Sequence, residues 1–322
     1  MSLPELGRLG FGAAGIGNLY RAMPDAVATA TIAAGWDAGV RYFDTAPHYG
    51  LGLSERRLGA FLAAKPREEF VISTKVGRVL EPVANPSGDR DAQGFDVPAD
   101  VVRRWDPSEA GIRRSIEDSL ERTGLDRIDI AYLHDPDVYD LDAGIKQALP
   151  ALEKLRAEGL ITAIGVGANS AAALRDCVAA ADLDIIMLAG RYTLLEQPAA
   201  ADLLPLCRER HVAVANCGVY NSGLLARPVV SANAHYNYEP APAHILSRAK
   251  ALAACCDEFG VELPAAALQF ALSHPAVATV VVGASTAEQM SQTAARMAVE
   301  IPADLWTALV SRGLLDERLV HA

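Results

Sequence analysis

Short apolar runs recur along the chain: RLGFGAAGIG (8–17), VRYF (40–43), FVISTK (70–75), IDIAYL (128–133), ITAIGVG (161–167), LDIIMLAG (183–190), VAVANC (212–217) and ATVVVG (278–283). Their length and composition predict strands. Between them lie segments of helical pattern over 25–39, 53–64, 107–124, 144–159, 170–181 and 263–274. Such β, α alternation reads as parallel sheet with crossover helices, and eight runs are what a closed (β/α)8 TIM barrel requires. Ser54 and Pro107 mark expected helix starts, and Gly124 and Gly159 expected stops. No linker or shift of composition divides the 322 residues, so a single barrel domain over 1–322 is expected.

Two connections are longer than this rhythm requires, 77–106 after the third run and 226–243 after the seventh. Both leave the C-terminal ends of strands, where a barrel keeps its active site, so both are expected to hang over the mouth and at least one to touch substrate.

Composition narrows the function. Apolar residues make up 51%, enough for a large core, yet uncharged stretches are broken short of membrane-spanning length. The N-terminus has no basic segment followed by an apolar one, so a soluble cytoplasmic protein is expected. A net charge of −11 argues against nucleic acid or an anionic membrane as partner. The five cysteines include no C-x-x-C pair, and no zinc-type spacing appears, so reduced thiols and no metal are expected. Cys217, at a strand end, is expected in the pocket wall. Oligomeric state is left open.

The chemistry gathers at strand ends. VRYFDTAPHYG (40–50), FVISTKVG (70–77), IDIAYLHDP (128–136) and ITAIGVGAN (161–169) place Asp44, Tyr49, Lys75, His134 and Asn169 there. A tyrosine titrates near pH ~10 and is a poor base at neutral pH. A neighbouring Lys75 ammonium would favour the phenolate and lower that value, with Asp44 holding the lysine by an ion pair. Gly10, Gly12 and Gly15 also spell G-x-G-x-x-G. They lie inside an apolar run instead of opening a helix, which counts against a Rossmann fingerprint. Lys75 alone would also suit a Schiff-base lyase, but Asp44 and Tyr49 would then lack a role.

The chain resembles the aldo-keto reductase superfamily over essentially its whole length. The resemblance rests on D-T-A-x-x-Y-G followed by Gly52-Leu-Ser54-Glu55-Arg-Arg-Leu58-Gly59, then S-T-K and L-H-D. Three further strings, LAGRYTLLEQ (188–197), VYNSGLLA (219–226) and YNYEPAPAHI (236–245), are similar to the bacterial branch of D-threo-aldose (L-fucose-type) 1-dehydrogenases and pyridoxal 4-dehydrogenases. The resemblance implies a barrel that uses a nicotinamide nucleotide without metal. Tyr49 would be the general acid/base, tuned by Lys75 and Asp44, and His134 would bind the substrate oxygen. It further implies cofactor contacts from Gly12, Asp44, Asn169, Ser222, Gly223, Leu224, Gly283, Ser285, Thr286 and Gln289. Trp105, Tyr220, Tyr236 and Tyr238 are the expected substrate walls. Gln289 stands where NADP-using members carry arginine, so NAD is expected over NADP. The implied reaction is oxidation of a cyclic hemiacetal of an aldose to its lactone. The alternatives are a pyridoxal 4-dehydrogenase and an NADPH-dependent aldehyde or ketone reductase.

Overall fold

Eight parallel strands close on themselves: β1 (Leu9–Gly12), β2 (Tyr42–Asp44), β3 (Val71–Val76), β4 (Ile130–His134), β5 (Ala163–Ala168), β6 (Ile185–Ala189), β7 (Ala213–Cys217) and β8 (Val277–Gly283). Each pairs with its neighbours in sequence, and β1 pairs with β8 through Gly12 and Gly283. The computed structural model describes residues 3–85, 88–237 and 239–320. The expected (β/α)8 barrel is the fold, and all eight apolar runs supply its strands.

Alternation along each strand divides two cores. Tyr42, Ile130, Tyr132, Ile185, Met187, Ala215 and Val281 form one buried cluster inside the barrel. Phe11, Phe43, Ile72, Leu133, Val166, Ile186 and Val214 belong to the larger one, outside it, against the helices. Burying a side chain such as these contributes about 1.5–3 kcal/mol.

Two glycines make the inner layer possible. A Cβ on Gly10 would stand 2.7 Å from Cδ1 of Tyr42, and one on Gly165 would stand 2.9 Å from Cδ1 of Tyr132. The first glycine of the run that mimics a nucleotide fingerprint, Gly10, is thus accounted for by packing. Gly15, in a short 3-10 turn, lets that turn approach the end of β8, since a Cβ there would come 3.0 Å from the Ala284 carbonyl.

Helix signals divide in the same way. Ser108 caps the helix over Glu109–Thr123 by accepting from Gly111 N at 3.1 Å, with Pro107 just outside, and Gly124 ends it at φ 67°. Gly159 follows the helix over Leu149–Ala157 at φ 80°. Ser54 is not a cap. It lies inside the helix over Leu53–Leu62, fully buried, donating to Ala13 O at 2.8 Å and paired with Thr45 Oγ1. Helices over Leu203–Glu209, Ala243–Glu258 and Ala303–Ser311 are not among those the apolar pattern predicts.

The described residues of the 77–106 connection include regular structure. Arg78–Pro82 and Val101–Trp105 form an antiparallel hairpin, and a buried Arg103–Asp91 ion pair at 2.6 Å ties its arm. Beyond it, Tyr20 N donates to Gly94 O at 2.8 Å, fixing the loop against the segment after β1. The 226–243 connection contains a short hairpin of His235–Tyr236 with Glu239–Pro240. Among the described residues no helix is long and apolar enough to cross a membrane.

Candidate active site

The period of two within each strand brings the chemistry to one end of the barrel. Asp44 follows Tyr42 inward on β2, Lys75 follows Ser73 on β3, and His134 follows Tyr132 on β4. Lys75 Nζ donates to Asp44 Oδ2 at 2.6 Å and to the Thr45 carbonyl at 3.0 Å, and both charged side chains are only 3% exposed. Tyr49 arrives on the turn after β2, and Lys75 Nζ sits 4.7 Å from the centre of its ring. The His134 ring stands edge-on to Tyr49, 6.1 Å between centres.

Above these groups opens a cavity of about 470 Å³ whose lining includes Tyr49, Lys75, His134, Asn169, His48 and Phe95. A larger groove, about 570 Å³, lies at the opposite end beside Leu6, Gly7, Val40 and Val71, where strands begin. In barrels of this kind that end reads as stability, not catalysis.

The electrostatics differ from the expectation in one respect. Burial pushes the Tyr49 hydroxyl above its usual range, and the opposing pull of Lys75 does not overcome it. Net lowering by the lysine is therefore corrected: the phenol is protonated at neutral pH. Burial alone would depress Lys75, but Asp44 and Tyr49 hold it above the usual lysine range, so the ammonium keeps its charge. Burial raises the Asp44 carboxyl, with Lys75 and Ser73 opposing. Burial, together with Arg78 and Lys75, drives His134 well below the ordinary imidazole range, so it is neutral. His134 Nε2 lies 3.4 Å from Asp135 Oδ2, which in turn receives Arg78 Nη2 at 2.5 Å.

Some residues expected at the site lie elsewhere. Trp105 stacks on Tyr139 with ring centres 4.9 Å apart, and its arm of the hairpin is not in the cavity lining. Tyr220 packs against the hydrophobic cluster of Val219, Leu268 and Val280. The Tyr236 hydroxyl donates to Glu196 at 2.9 Å. Tyr238 lies outside the described residues. Ser222, Gly223 and Leu224 line a separate hollow of about 260 Å³ with Arg227 and His235. Gly12 and Gly283 adjoin through the β1–β8 pairing. Thr286 caps the following helix by accepting from Gln289 N at 3.2 Å, and Gln289 Oε1 accepts from Ser285 N at 2.9 Å.

Sequence reasoning passed over His48, Leu19, Tyr20, Gln93 and Met187, all of which line the cavity. His48 could have been found from its place beside Tyr49 in one tight turn. Gln93 could not, because it arrives on a loop whose fold follows from distant ion pairs. Cys217 lines the cavity as expected.

A nicotinamide ring is flat and needs a flat wall. The side of the cavity at the ends of β5, β6 and β7 is formed by Gly167, Ala168, Met187, Ala189, Cys217 and Gly218, all small or unbranched, with Asn169 at its edge. Gly218 holds φ 64° where a Cβ would approach Gly190 N to 3.1 Å, so the small residue there is enforced by the backbone. These residues fit the ring, with Asn169 able to offer its amide.

The aldo/keto reductase family model matches residues 8–312. The chain is 53% identical over 309 residues to a D-threo-aldose 1-dehydrogenase of Pseudomonas sp, covering 95% of this chain and 94% of that one. It is 40% identical to a pyridoxal 4-dehydrogenase of Microbacterium luteolum, covering 96% and 94%. Among solved structures, an aldo-keto reductase from Bacillus halodurans in its holo form superposes with a TM-score of 0.76 at 26% identity, covering 98% and 97%. With an eight-stranded barrel carrying an aspartate, a lysine and a tyrosine at its mouth, the chain belongs to the aldo/keto reductase family and is an oxidoreductase acting on hydroxyl or carbonyl groups.

Proposed function

We propose that the protein oxidises the anomeric hydroxyl of an aldose, in its cyclic hemiacetal form, to a lactone, using NAD. The observation that carries this reading is the 53% identity, along nearly the whole chain, to a D-threo-aldose 1-dehydrogenase. The geometry supports it. Tyr49, beside the Lys75 ammonium, takes the proton of the anomeric hydroxyl once deprotonated, and Lys75 stabilises the negative charge that develops on the oxygen. His134, neutral, donates a hydrogen bond to the same oxygen. A nicotinamide held beside Gly167, Ala168, Asn169 and Gly218 would supply the acceptor for the hydride from C1. Placing these groups on separate strands fixes their mutual geometry before substrate arrives.

Three observations favour NAD. Gln289 offers no positive charge, its side chain is engaged with Ser285 N, and the nearby Arg296 pairs with Glu262 at 3.1 Å. A 2′-phosphate would lack the guanidinium that pairs with it.

The reading is tested by following reduced-cofactor formation at mildly alkaline pH with L-fucose, D-arabinose, L-galactose and pyridoxal, each with NAD and NADP. NADH formed from an aldose, with NADP slower, is the expected result. Turnover of pyridoxal alone would move the substrate to that class, and consumption of NADPH with simple aldehydes, with no oxidation of aldoses, would overturn the reading.

A further inference from the structure

Beneath the Asp44–Lys75 pair runs a line of hydroxyls with no part in the chemistry described so far. Ser73 Oγ donates to Asp44 Oδ1 at 2.7 Å. Tyr42 OH lies 3.0 Å from Ser73 Oγ and 3.0 Å from Tyr132 OH. Tyr42, Ser73 and Tyr132 are wholly buried.

Proton bookkeeping gives this line a direction. An ionised carboxylate only accepts, so the single Ser73 proton goes to Asp44. Ser73 must then accept from Tyr42, whose own proton is thereby used, and Tyr42 must accept from Tyr132. Every hydroxyl points one way, from Tyr132 through Tyr42 and Ser73 to Asp44. Bonds so aligned polarise one another, and in a dry interior each is stronger than its counterpart in water.

The barrel is shaped around this line. Gly10 and Gly165 are the positions where a methyl would strike the two tyrosine rings. A leucine or phenylalanine at 42 or 132 would fill an interior of this kind without burying a polar atom, and buried hydroxyls are costly unless paired.

We propose that Tyr132, Tyr42 and Ser73 form a one-way hydrogen-bond relay that holds Asp44 ionised and oriented toward Lys75, and so sets the proton affinity of Tyr49. All three are positioning residues, and none lines the cavity. The groups facing Asp44 are Tyr42 from its own strand, Lys75 and Ser73 from β3, Tyr49 from the turn, Tyr132 from β4 and Cys217 from β7. Of these, Lys75 and Ser73 hydrogen-bond the charged form directly, while Tyr42, donating to Ser73, acts on it only through that hydroxyl. The part concerning Tyr49 rests on its role as acid/base proposed above.

The test uses the full-length variants Ser73→Ala, Tyr42→Phe and Tyr132→Phe. The side-chain carboxyl of Asp44 is titrated by carbon NMR, and the pH dependence of turnover is measured for the same proteins. A net hydrogen bond of about 0.5–1.5 kcal/mol corresponds to about half to one pH unit. The Asp44 midpoint is expected to rise by about that much in Ser73→Ala, less in Tyr42→Phe and least in Tyr132→Phe; because the Asp44 charge holds the Tyr49 hydroxyl up, the alkaline limb of turnover moves downward in the same order, with KM little changed. A merely structural role would lower the melting temperature and leave both midpoints in place, which would overturn the proposal. If Tyr42→Phe fails to fold, the order between Ser73→Ala and Tyr132→Phe decides. Should Tyr49→Phe retain full turnover, the acid/base reading fails, while the Asp44 titration still decides whether the relay acts on the carboxylate.

Discussion

The floor and the rim of the site are built on opposite terms. On the floor, Tyr132, Tyr42, Ser73, Asp44 and Lys75 form a continuous set in which each side chain has a protein partner within 3.0 Å. On the rim, Nδ1 of His48 and of His134 are buried with no partner. Buried polar groups are ordinarily satisfied, and these two, on residues that also line the cavity, are placed for a ligand to complete the pairing. The comparison separates two tasks. The floor sets the charge of the acid/base group and must be complete before substrate binds. The rim, left incomplete, makes the substrate the missing partner, and a site of that kind rejects analogues lacking the right hydroxyl.

The most severe break is to remove the group that joins the two regions. Tyr49→Phe keeps the ring against Phe95 and His134 but deletes the proton acceptor. Turnover should fall by about 10²–10⁴-fold, with cofactor affinity retained as read by fluorescence titration. Loss of cofactor binding with turnover intact would contradict the assignment.

Next in size is a break of the floor itself. Lys75→Ala leaves the Asp44 carboxylate buried and unpaired, which costs about 3–5 kcal/mol in stability. Denaturant unfolding should show that loss, and the double variant Asp44→Asn with Lys75→Met should recover most of it. Equal stability of the single and double variants would mean that the pair is not coupled as its 2.6 Å separation requires.

How much of this was legible in the sequence follows the same division. The floor was legible because period-two alternation is local: a strand that ends in Y-F-D or S-T-K must put Asp44 and Lys75 on the inner face with the residue two before. What could not be read was that Tyr42 and Ser73 are joined to Asp44, since register between strands decides it. Gly10 looked like part of a phosphate loop because a glycine leaves the same letter whether it makes room for a ligand or for a tyrosine ring. The rim was less legible still. Phe95 and Gln93 reach the cavity on a connection held by Arg103–Asp91 and by the bridge from Leu19 to Phe95, contacts that no periodicity encodes. Trp105, expected as a substrate wall, stacks on Tyr139 instead. The sign of the Tyr49 shift was missed for a related reason. Spacing reveals a lysine nearby, but the depth at which both groups are buried is a property of the closed barrel.

A smaller effect sharpens the rim. His48 packs edge-on to Phe95 and His134, at 5.2 Å and 5.5 Å between ring centres, and its backbone carbonyl is held by Arg103 at 2.9 Å. His48→Ala should raise KM for the accepted aldose by about 2- to 10-fold, the worth of one net hydrogen bond, while kcat changes little. Steady-state kinetics with a matched pair of sugars differing in one hydroxyl would show the loss on only one of them. An equal loss on both would assign His48 to shape alone.

The smallest expected effect is an absence, and it follows from the same burial. An ordinary histidine titrates near pH ~6.5, so two at an active site would normally impose an acid limb between pH ~5 and ~8. Here burial, reinforced by the charges of Arg78, Arg103 and Lys75, lowers His48 to about 2 and holds His134 well below its usual value. Both remain neutral wherever the protein is folded and working, because a group with a depressed histidine pKa gains its proton only as pH falls through that lower value. The oxidation rate should therefore climb toward alkaline pH on the Tyr49 limb alone, with no inflection near neutrality. An inflection near pH ~6.5 that disappears in His48→Ala would show that the rim imidazoles are ordinary, and the contrast between a complete floor and an incomplete rim would fall with it.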